Sequence, residues 1–224
     1  MFPTVASVTP DPPRPLPRGP HQLAREVVLA SQRGRLLEAM AEVVASKSYA
    51  ATTVADVIAS AGVSRKTFYE HFRDKEDCFL AAYDAGVDLL VQSVRSAGQH
   101  APDMLARARA RTRTYLETLA AEPAFARTFL IEVTGAGPRA LERRDRVHER
   151  FAEMLREQLD EARQTIPSLP AQPSEVYLAA VGATDLLVSR LVGQGRAAEL
   201  PALVDVVMLI QLALLTATAP ENGV

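Results

Sequence analysis

A short run of donor side chains follows a glycine-valine turn in the first third of the chain. Residues 64–71 read Ser-Arg-Lys-Thr-Phe-Tyr-Glu-His, which brings two cations, hydroxyl groups, a phenol and an imidazole close together. Arginine and lysine can donate to guanine in the major groove of B-DNA, and hydroxyl and phenol groups commonly bind phosphate oxygens. The chemistry that this run could perform is recognition of duplex DNA.

Two predicted helices precede this run and must support it. Apolar residues recur at helical spacing after Ser31, a potential N-cap, and they predict a first helix; they are Leu36, Leu37, Met40, Val43 and Val44. A second helix is predicted up to residue 61, because Thr53 and Asp56 have the spacing of a capping box.

The run itself is predicted to be a third helix, over residues 65–72. Gly62 can take the left-handed conformation of a tight turn, and Ser64 can cap the helix that follows. Phe68 and Phe72 lie one turn apart, so both rings point to the first two helices and the charged residues remain on the surface.

Residues 52–72, followed by Asp74-Lys75-Glu76, closely resemble the DNA-binding signature of the Tet repressor (TetR) family. The resemblance rests on a capped helix, a Gly-Val turn, a serine-capped recognition helix and a Phe-Tyr-x-His-Phe ending, all at one spacing. It implies a helix-turn-helix domain over residues 25–74, whose third helix enters the major groove of an operator.

Within this motif, Arg65 and Lys66 are predicted to read bases, with Thr67 beside them. Tyr69 and His71 are expected to bind phosphates by family resemblance, as are Lys75 and the helix terminus at Thr53. The predicted DNA-binding residues are Thr53, Ser64, Arg65, Lys66, Thr67, Tyr69, His71 and Lys75.

One position departs from the family pattern. Many relatives have glycine after the first helix, and this chain has Ser48 there, between Lys47 and Tyr49. A left-handed residue other than glycine costs on the order of 1 kcal/mol, so we expect the first helix to end differently here.

The rest of the chain reads as helices separated by proline and glycine, without the alternation that marks strands, so we predict an all-α protein. Residues 1–24 are rich in proline and are predicted to be a disordered tail. Residues 75–220 are predicted to form a six-helix ligand-binding and dimerisation domain. The predicted helices are residues 75–97, 103–120, 123–134, 138–164, 173–193 and 199–218.

The last two predicted helices are apolar nearly all round and need cover on more than one side. The family resemblance implies that they pack against their copies in a homodimer, and that the helices near 103–164 enclose a largely apolar effector pocket. Its candidate lining residues are Tyr115, Phe125, Phe129, Glu132, Met154 and Tyr177, with Arg113 or Asp185 as the polar anchor, although plain core packing is the alternative for each apolar member.

Composition limits the other classes of function. The net charge of −2 gives no basic field over the whole chain, so binding to nucleic acid needs a local patch. The single cysteine, Cys78, excludes an internal disulfide, and its apolar neighbours predict a small buried residue. Scattered histidines and the lack of a P-loop predict no enzyme, no metal and no cofactor. Polar residues interrupt the apolar stretch at 200–219, so we expect a cytoplasmic protein without a membrane span.

The sequence therefore predicts a transcriptional regulator, a repressor, that binds a palindromic operator as a homodimer and is released by a small ligand. The alternative is a helical, dimeric ligand carrier or scaffold that does not bind DNA. Activation in place of repression stays open, because its sign depends on where the operator lies. The sequence names neither the operator nor the effector.

Overall fold

The chain is described from a computed structural model that covers residues 22–218. Nine α-helices and two 3-10 helices make up this part of the chain, and no strand occurs within it, so the all-α prediction is confirmed. The α-helices are α1 (Gln22–Lys47), α2 (Val54–Ala61), α3 (Arg65–His71), α4 (Lys75–Ser96), α5 (Met104–Ala121), α6 (Pro123–Leu130), α7 (Pro138–Thr165), α8 (Ser174–Gly193) and α9 (Val204–Thr216).

Local chemistry fixes the helix-turn-helix. Thr53 and Asp56 form the predicted capping box at the start of α2. Gly62 ends α2 in the left-handed region, at φ 62°. Ser64 then caps α3 by accepting a hydrogen bond from the backbone N–H of Thr67 (3.0 Å). The short second and third helices are thus defined by their own ends.

One apolar core runs from this N-terminal domain into the helices that follow. Leu36 and Met40 of α1 and Phe68 of α3 are fully buried, and the same cluster contains Phe79 of α4. Cys78 is also fully buried and burial raises the pKa of its thiol to about 12, so the predicted small buried residue is confirmed. α1 packs against α2, α4 and α6, which joins the domains over a broad contact.

Helices α5 and α7–α9 form the C-terminal bundle, in which α8 packs against α7 and α9, and α9 packs against α5. A smaller apolar cluster at one end contains Leu159, Tyr177 and Leu215. The side-chain amide of Gln172 donates to the carbonyls of Leu215 (3.0 Å) and Ala217 (2.7 Å), and so caps the end of α9.

Three predicted helix boundaries were wrong. α1 begins at Gln22, before the predicted Ser31, because no proline or glycine lies between Pro20 and Gly34 to stop it. The predicted helices 123–134 and 199–218 each overlap a 3-10 helix, the first at its end (Glu132–Gly135) and the second at its start (Ala197–Leu203). In the second, Pro201 lacks the N–H that an α-helical hydrogen bond needs. The predicted disordered tail lies outside the described residues, except that residues 22–24 belong to α1.

Candidate nucleic-acid interface and ligand cavity

Helix α3 has one buried face and one exposed face. Phe68 and Phe72 are buried, and their rings lie 5.8 Å apart against the first two helices. On the other side Arg65 and Lys66 are exposed, and Tyr69 keeps 47% of its surface exposed. The helix therefore presents two cations and a phenol outward on a rigid support.

The exposed side chains on α3 touch one another only weakly. The guanidinium of Arg65 lies over the ring of Tyr69 (5.6 Å to the centroid), and its Nη2 donates to the Tyr69 hydroxyl at 3.4 Å. Lys66 pairs with Glu70 at 3.8 Å, and the Lys66 side chain is 87% exposed. Exposed pairs of this kind contribute little energy, so both cations can exchange these partners for DNA at small cost.

The hydroxyl groups among the predicted DNA contacts already serve as helix caps. Thr53 accepts from the backbone N–H of Asp56 (3.3 Å), and its own hydroxyl donates to the Asp56 carboxylate (2.6 Å). The hydroxyls of Ser64 and Thr67 lie 2.9 Å apart and share a hydrogen bond. These residues position α2 and α3 in the structure, and their contacts with DNA stay predictions.

Lys75 is engaged inside the protein. Its Nζ donates to the carbonyls of Tyr49 and Thr52, both at 2.9 Å, and lies 4.2 Å from the centroid of the Tyr49 ring. The ammonium thus holds the turn between α1 and α2, and only its third donor is available to a phosphate. His71 is half-buried, and its buried Nε2 has no hydrogen-bond partner among the described residues.

A second side chain, Glu132, holds the same turn through the backbone N–H of Tyr49. The buried carboxylate of Glu132 accepts from the backbone N–H of Tyr49 (2.9 Å) and pairs with Arg127 (3.1 Å). Glu132 was predicted to line the effector pocket, and the structure places it at the border with the N-terminal domain. Ser48, just before Tyr49, adopts a left-handed φ of 75°, so the helix ends in the glycine-like way despite its serine.

A cavity of about 80 Å³ lies between α4–α9 in the C-terminal bundle. Four predicted residues line it: Tyr115, Phe129, Met154 and Asp185. Three others do not. Phe125 stacks on Phe129 behind the wall (5.4 Å), Tyr177 lies in the cluster at the end of the bundle, and Glu132 holds Tyr49.

The polar wall of the cavity was missed from the sequence. Arg111, Gln158, His148, Thr184 and Gln211 also line it. The signal for Arg111 was present, because it precedes Tyr115 by one helical turn and so shares its face of α5. The side chain of Arg113, which the sequence offered as an anchor, is exposed and lies outside the cavity lining.

Aromatic rings connect the cavity wall to the turn after α1. Phe129 stacks on Tyr83 of α4 (5.6 Å), Tyr83 neighbours Phe79 (6.5 Å), and Phe79 contacts Tyr49 (4.8 Å). Gly86 of α4 makes room for Phe125, which stacks on Phe129, because a Cβ at Gly86 would lie 2.3 Å from the Phe125 ring. A displacement of the cavity wall therefore has a packed route to the turn that Lys75 and Glu132 hold.

Two apolar faces of the bundle are exposed. Leu186 of α8 is 69% exposed and Leu209 of α9 is 68% exposed, and further exposed apolar residues on these helices are Leu178, Val206 and Leu212. By length and composition alone, segments Ser174–Gly193 and Ala197–Thr216 could cross a membrane. Within residues 22–218, no group of three or more His, Cys, Asp or Glu could hold a metal ion.

Comparison with known proteins adds family evidence to this geometry. The family model described as "Bacterial regulatory proteins, tetR family" matches residues 36–82, which contain the C-terminal part of α1, all of α2 and α3, and the start of α4. Over 101 residues the chain is 32% identical to the HTH-type transcriptional activator FasR of Mycolicibacterium smegmatis, an alignment that covers 45% of this chain and 46% of that protein. The chain thus matches about half the length of this curated relative.

Solved structures share the fold over a longer stretch. The fatty acid degradation regulator FadR from Bacillus halodurans superposes with a TM-score of 0.74 at 21% identity, covering 81% of this chain and 94% of the other. FadR from Bacillus subtilis, in complex with stearoyl-CoA, gives 0.72 at 17% identity and covers 83% and 99%. At these identities the likeness concerns the fold.

Proposed function

We propose that this chain, whose N-terminal domain matches the model of the TetR family of bacterial regulatory proteins, is a cytoplasmic transcriptional regulator that binds a palindromic operator as a homodimer. The observation that carries the proposal is the exposed face of α3, where Arg65, Lys66 and Tyr69 project from a helix anchored by buried Phe68. In this proposal residues 25–74 read DNA, and residues 75–220 bind the effector and the second subunit.

The contacts divide by chemistry into reading and positioning. Arg65 has an exposed guanidinium fork that matches the two acceptors of guanine once it leaves Tyr69, and Lys66 can reach a guanine or a phosphate. The Tyr69 hydroxyl and the N-terminus of α2 at Thr53 suit phosphate oxygens. Lys75 has one remaining donor, so its main contribution is to hold the turn that precedes α2.

The homodimer is proposed on the exposed apolar faces of α8 and α9. Exposed leucines on two adjacent helices favour association with a second copy in a four-helix interface. A lipid-spanning position is the competing interpretation, and it fits poorly with the charged Asp185 and Arg190 on α8. Leu209→Glu tests the interface: sedimentation should give monomers, whereas Leu105→Glu, at an exposed leucine on α5, should leave the dimer intact.

The effector is proposed to act by displacing the cavity wall. A ligand that moves Phe129 pushes on Tyr83, and the packed rings carry this shift to the turn before the helix-turn-helix. It lowers operator affinity only by as much as it prefers the displaced conformation. FadR from Bacillus subtilis was solved with stearoyl-CoA, so an acyl-CoA is a natural first compound to screen.

We propose repression as the sign of regulation: the protein lowers transcription while it is bound to the operator, and release by a ligand restores transcription. The relative from Mycolicibacterium smegmatis is named an activator. A reporter gene placed behind the selected operator decides the sign directly, since repression lowers and activation raises its expression.

The first experiment is selection of bound duplexes from a random DNA pool at fixed salt. We expect an enriched palindrome with half-sites about 34–36 Å apart. Arg65→Ala should change the selected bases and cost about 1–3 kcal/mol at the affected position, while Tyr69→Ala should weaken all sequences alike. No enrichment by a folded dimer would overturn the proposal.

A ligand carrier without DNA binding is the second candidate, and the cavity is the observation in its favour. Salt dependence separates the two functions. For a DNA-binding regulator, a plot of the logarithm of DNA affinity against the logarithm of salt concentration should have a slope of about −0.9 per phosphate contacted. A carrier should show no DNA binding at any salt concentration.

A further inference from the structure

One cation on the cavity wall lacks a carboxylate partner among the described residues. Nη1 of Arg111 donates to the amide oxygen of Gln158 (3.2 Å). The buried Nε of Arg111 has no hydrogen-bond acceptor among residues 22–218. Burial lowers the pKa of Arg111, and the charge of Arg107 adds to this effect. A bound anion would therefore neutralise a charge that the protein leaves uncompensated.

The charges around Arg111 do not cancel it. Arg95 pairs with Glu157 (3.3 Å) and Arg107 pairs with Glu161 (2.6 Å), so each neighbouring arginine already has its own carboxylate. Both pairs lie close enough to influence the Arg111 guanidinium. The two ion pairs and Arg111 together carry one net positive charge. The unpaired cation is Arg111, which lies on the cavity wall.

The second ionic group on the wall lies at a different position along α7. His148 is paired with Asp185 of α8 at 3.7 Å, and both line the cavity. Gln158, the partner of Arg111, follows His148 by ten residues on α7, which places them about 15 Å apart along the helix. Phe151 and Met154, between them in the sequence, line the cavity with apolar surface. The Asp185 carboxylate repels an anion, so the cavity favours one charged end only.

We propose that the cavity binds an apolar organic anion whose acid group is held by Arg111 and whose hydrocarbon body lies against Tyr115, Phe151 and Met154. This proposal rests on the proposed function, in which the cavity is the effector site. A guanidinium can hold a carboxylate by two parallel hydrogen bonds, which a neutral head group cannot match. An unbranched chain suits the small void, because flexible Met154 can adapt to it.

Three unbranched compounds with eight carbon atoms each test the head group: octanoate, 1-octanol and octylamine. Calorimetric titration of the full chain without DNA should give octanoate about ten to a hundred times the affinity of 1-octanol, with octylamine the weakest. Arg111→Met should bring octanoate down to the level of 1-octanol. Arg113→Met is the matched control, because Arg113 is exposed on the same helix, and it should keep the octanoate preference.

Unchanged 1-octanol binding by Arg111→Met shows that its cavity is intact. Should that variant fail to fold, Arg111→Lys decides, because it keeps the charge without the planar fork and should lose part of the preference. Equal binding of all three compounds to the unmodified protein, or an octanoate preference that survives in Arg111→Met, overturns the anion site.

A separate titration of operator DNA with saturating octanoate distinguishes this site from the effector role. Weaker operator binding supports both proposals. If octanoate binds through Arg111 and operator affinity stays the same, the anion site is supported and the effector role of the cavity is rejected.

Discussion

Helices α2–α5 and helices α6–α9 are held in place by different physical means. Each of the first four begins with a side-chain cap, provided by Thr53, Ser64, Asp74 and Asp103. None of the last four has a side-chain cap hydrogen bond at its start. Helices α2–α5 therefore have starts that their own sequence specifies, and helices α6–α9 are placed mainly by packing.

This difference suits two tasks. A recognition helix must hold its donors in one orientation, and capped ends with a small buried core achieve that locally. A domain that responds to a ligand needs helices that can shift, and four of the six helices around the cavity, α6–α9, have no side-chain cap to constrain their starts. Local side-chain caps thus hold the starts of all four helices from α2 to α5, and the turn before α2 is joined to the bundle through Glu132.

Loss of the buried ring under α3 should have the largest effect. Phe68 is fully buried, so Phe68→Ala should lower the free energy of unfolding by about 3–5 kcal/mol and abolish DNA binding by unfolding the small domain. Tyr69→Ala, at the exposed neighbour, should leave the stability nearly unchanged. Urea denaturation followed by circular dichroism measures both, and equal stabilities would contradict the idea that rigidity comes from this core.

Removal of Glu132 should come next, since it breaks the link between the two regions. Glu132→Ala leaves the N–H of Tyr49 and the charge of Arg127 without their partner, at an expected cost of about 2–3 kcal/mol. Glu132→Gln keeps an acceptor for the N–H and should cost less. Urea denaturation measures the free energy of unfolding. Operator titration with and without the ligand measures how strongly the cavity is coupled to the helix-turn-helix. An unchanged ligand response in the alanine variant would show that this contact does not join the regions.

Gly86 tests the packing between α4 and α6. Gly86→Ala forces the Phe125 ring to move, and overpacking of this kind typically costs about 1–3 kcal/mol. Gly34→Ala is the control, because it lies in α1 with nothing within 4 Å of the added Cβ, and it should stabilise the protein slightly. Thermal unfolding compares the two, and a stabilised Gly86→Ala protein would mean that Phe125 has room to yield.

The same contrast explains what could be predicted. The bounds of α2 and α3 and the buried role of Phe68 follow from Thr53, Gly62 and Ser64, which act within a few residues of where they stand. Tyr115 and Met154 were found on the cavity because aromatic and flexible apolar residues on inward faces are common there. Gly86 could not be recognised, since its importance comes from a ring distant in sequence.

Glu132 is another residue whose role depends on a contact distant in sequence. It was predicted to line the effector pocket, yet its partner is the backbone of Tyr49, 83 residues away. Arg111 was passed over for Arg113, because the alternating arginines of α5 do not reveal which of them faces inward until the helix phase is compared with Tyr115. Long-range pairing of this kind depends on the tertiary arrangement.

Acid should loosen the cap of α2 in a defined range. The hydrogen bond from Lys47, followed by that from Thr53, lowers the pKa of Asp56 from 3.8 to about 2. Because the folded value is the lower one, the stabilisation is present above pH 3.8 and is lost as the pH falls toward 2. Asp56→Asn should remove this part of the pH dependence. Denaturation at several pH values checks it, and identical profiles for both proteins would exclude the cap as an acid-sensitive element.

The smallest effect is expected at the left-handed residue that ends α1. Ser48 has a φ of 75°, which costs a side chain about 1–2 kcal/mol, whereas glycine adopts it freely but loses more entropy on folding. The difference predicts that Ser48→Gly stabilises the protein by roughly 0.5–1 kcal/mol. Ser46→Gly, two residues earlier and inside the helix, should instead destabilise it by about half a kcal/mol. A raised melting temperature for Ser48→Gly and a lowered one for Ser46→Gly would support the strain at Ser48. A loss at Ser48 would mean that contacts of its side chain outweigh the strain, and that the turn held by Lys75 and Glu132 does not need glycine.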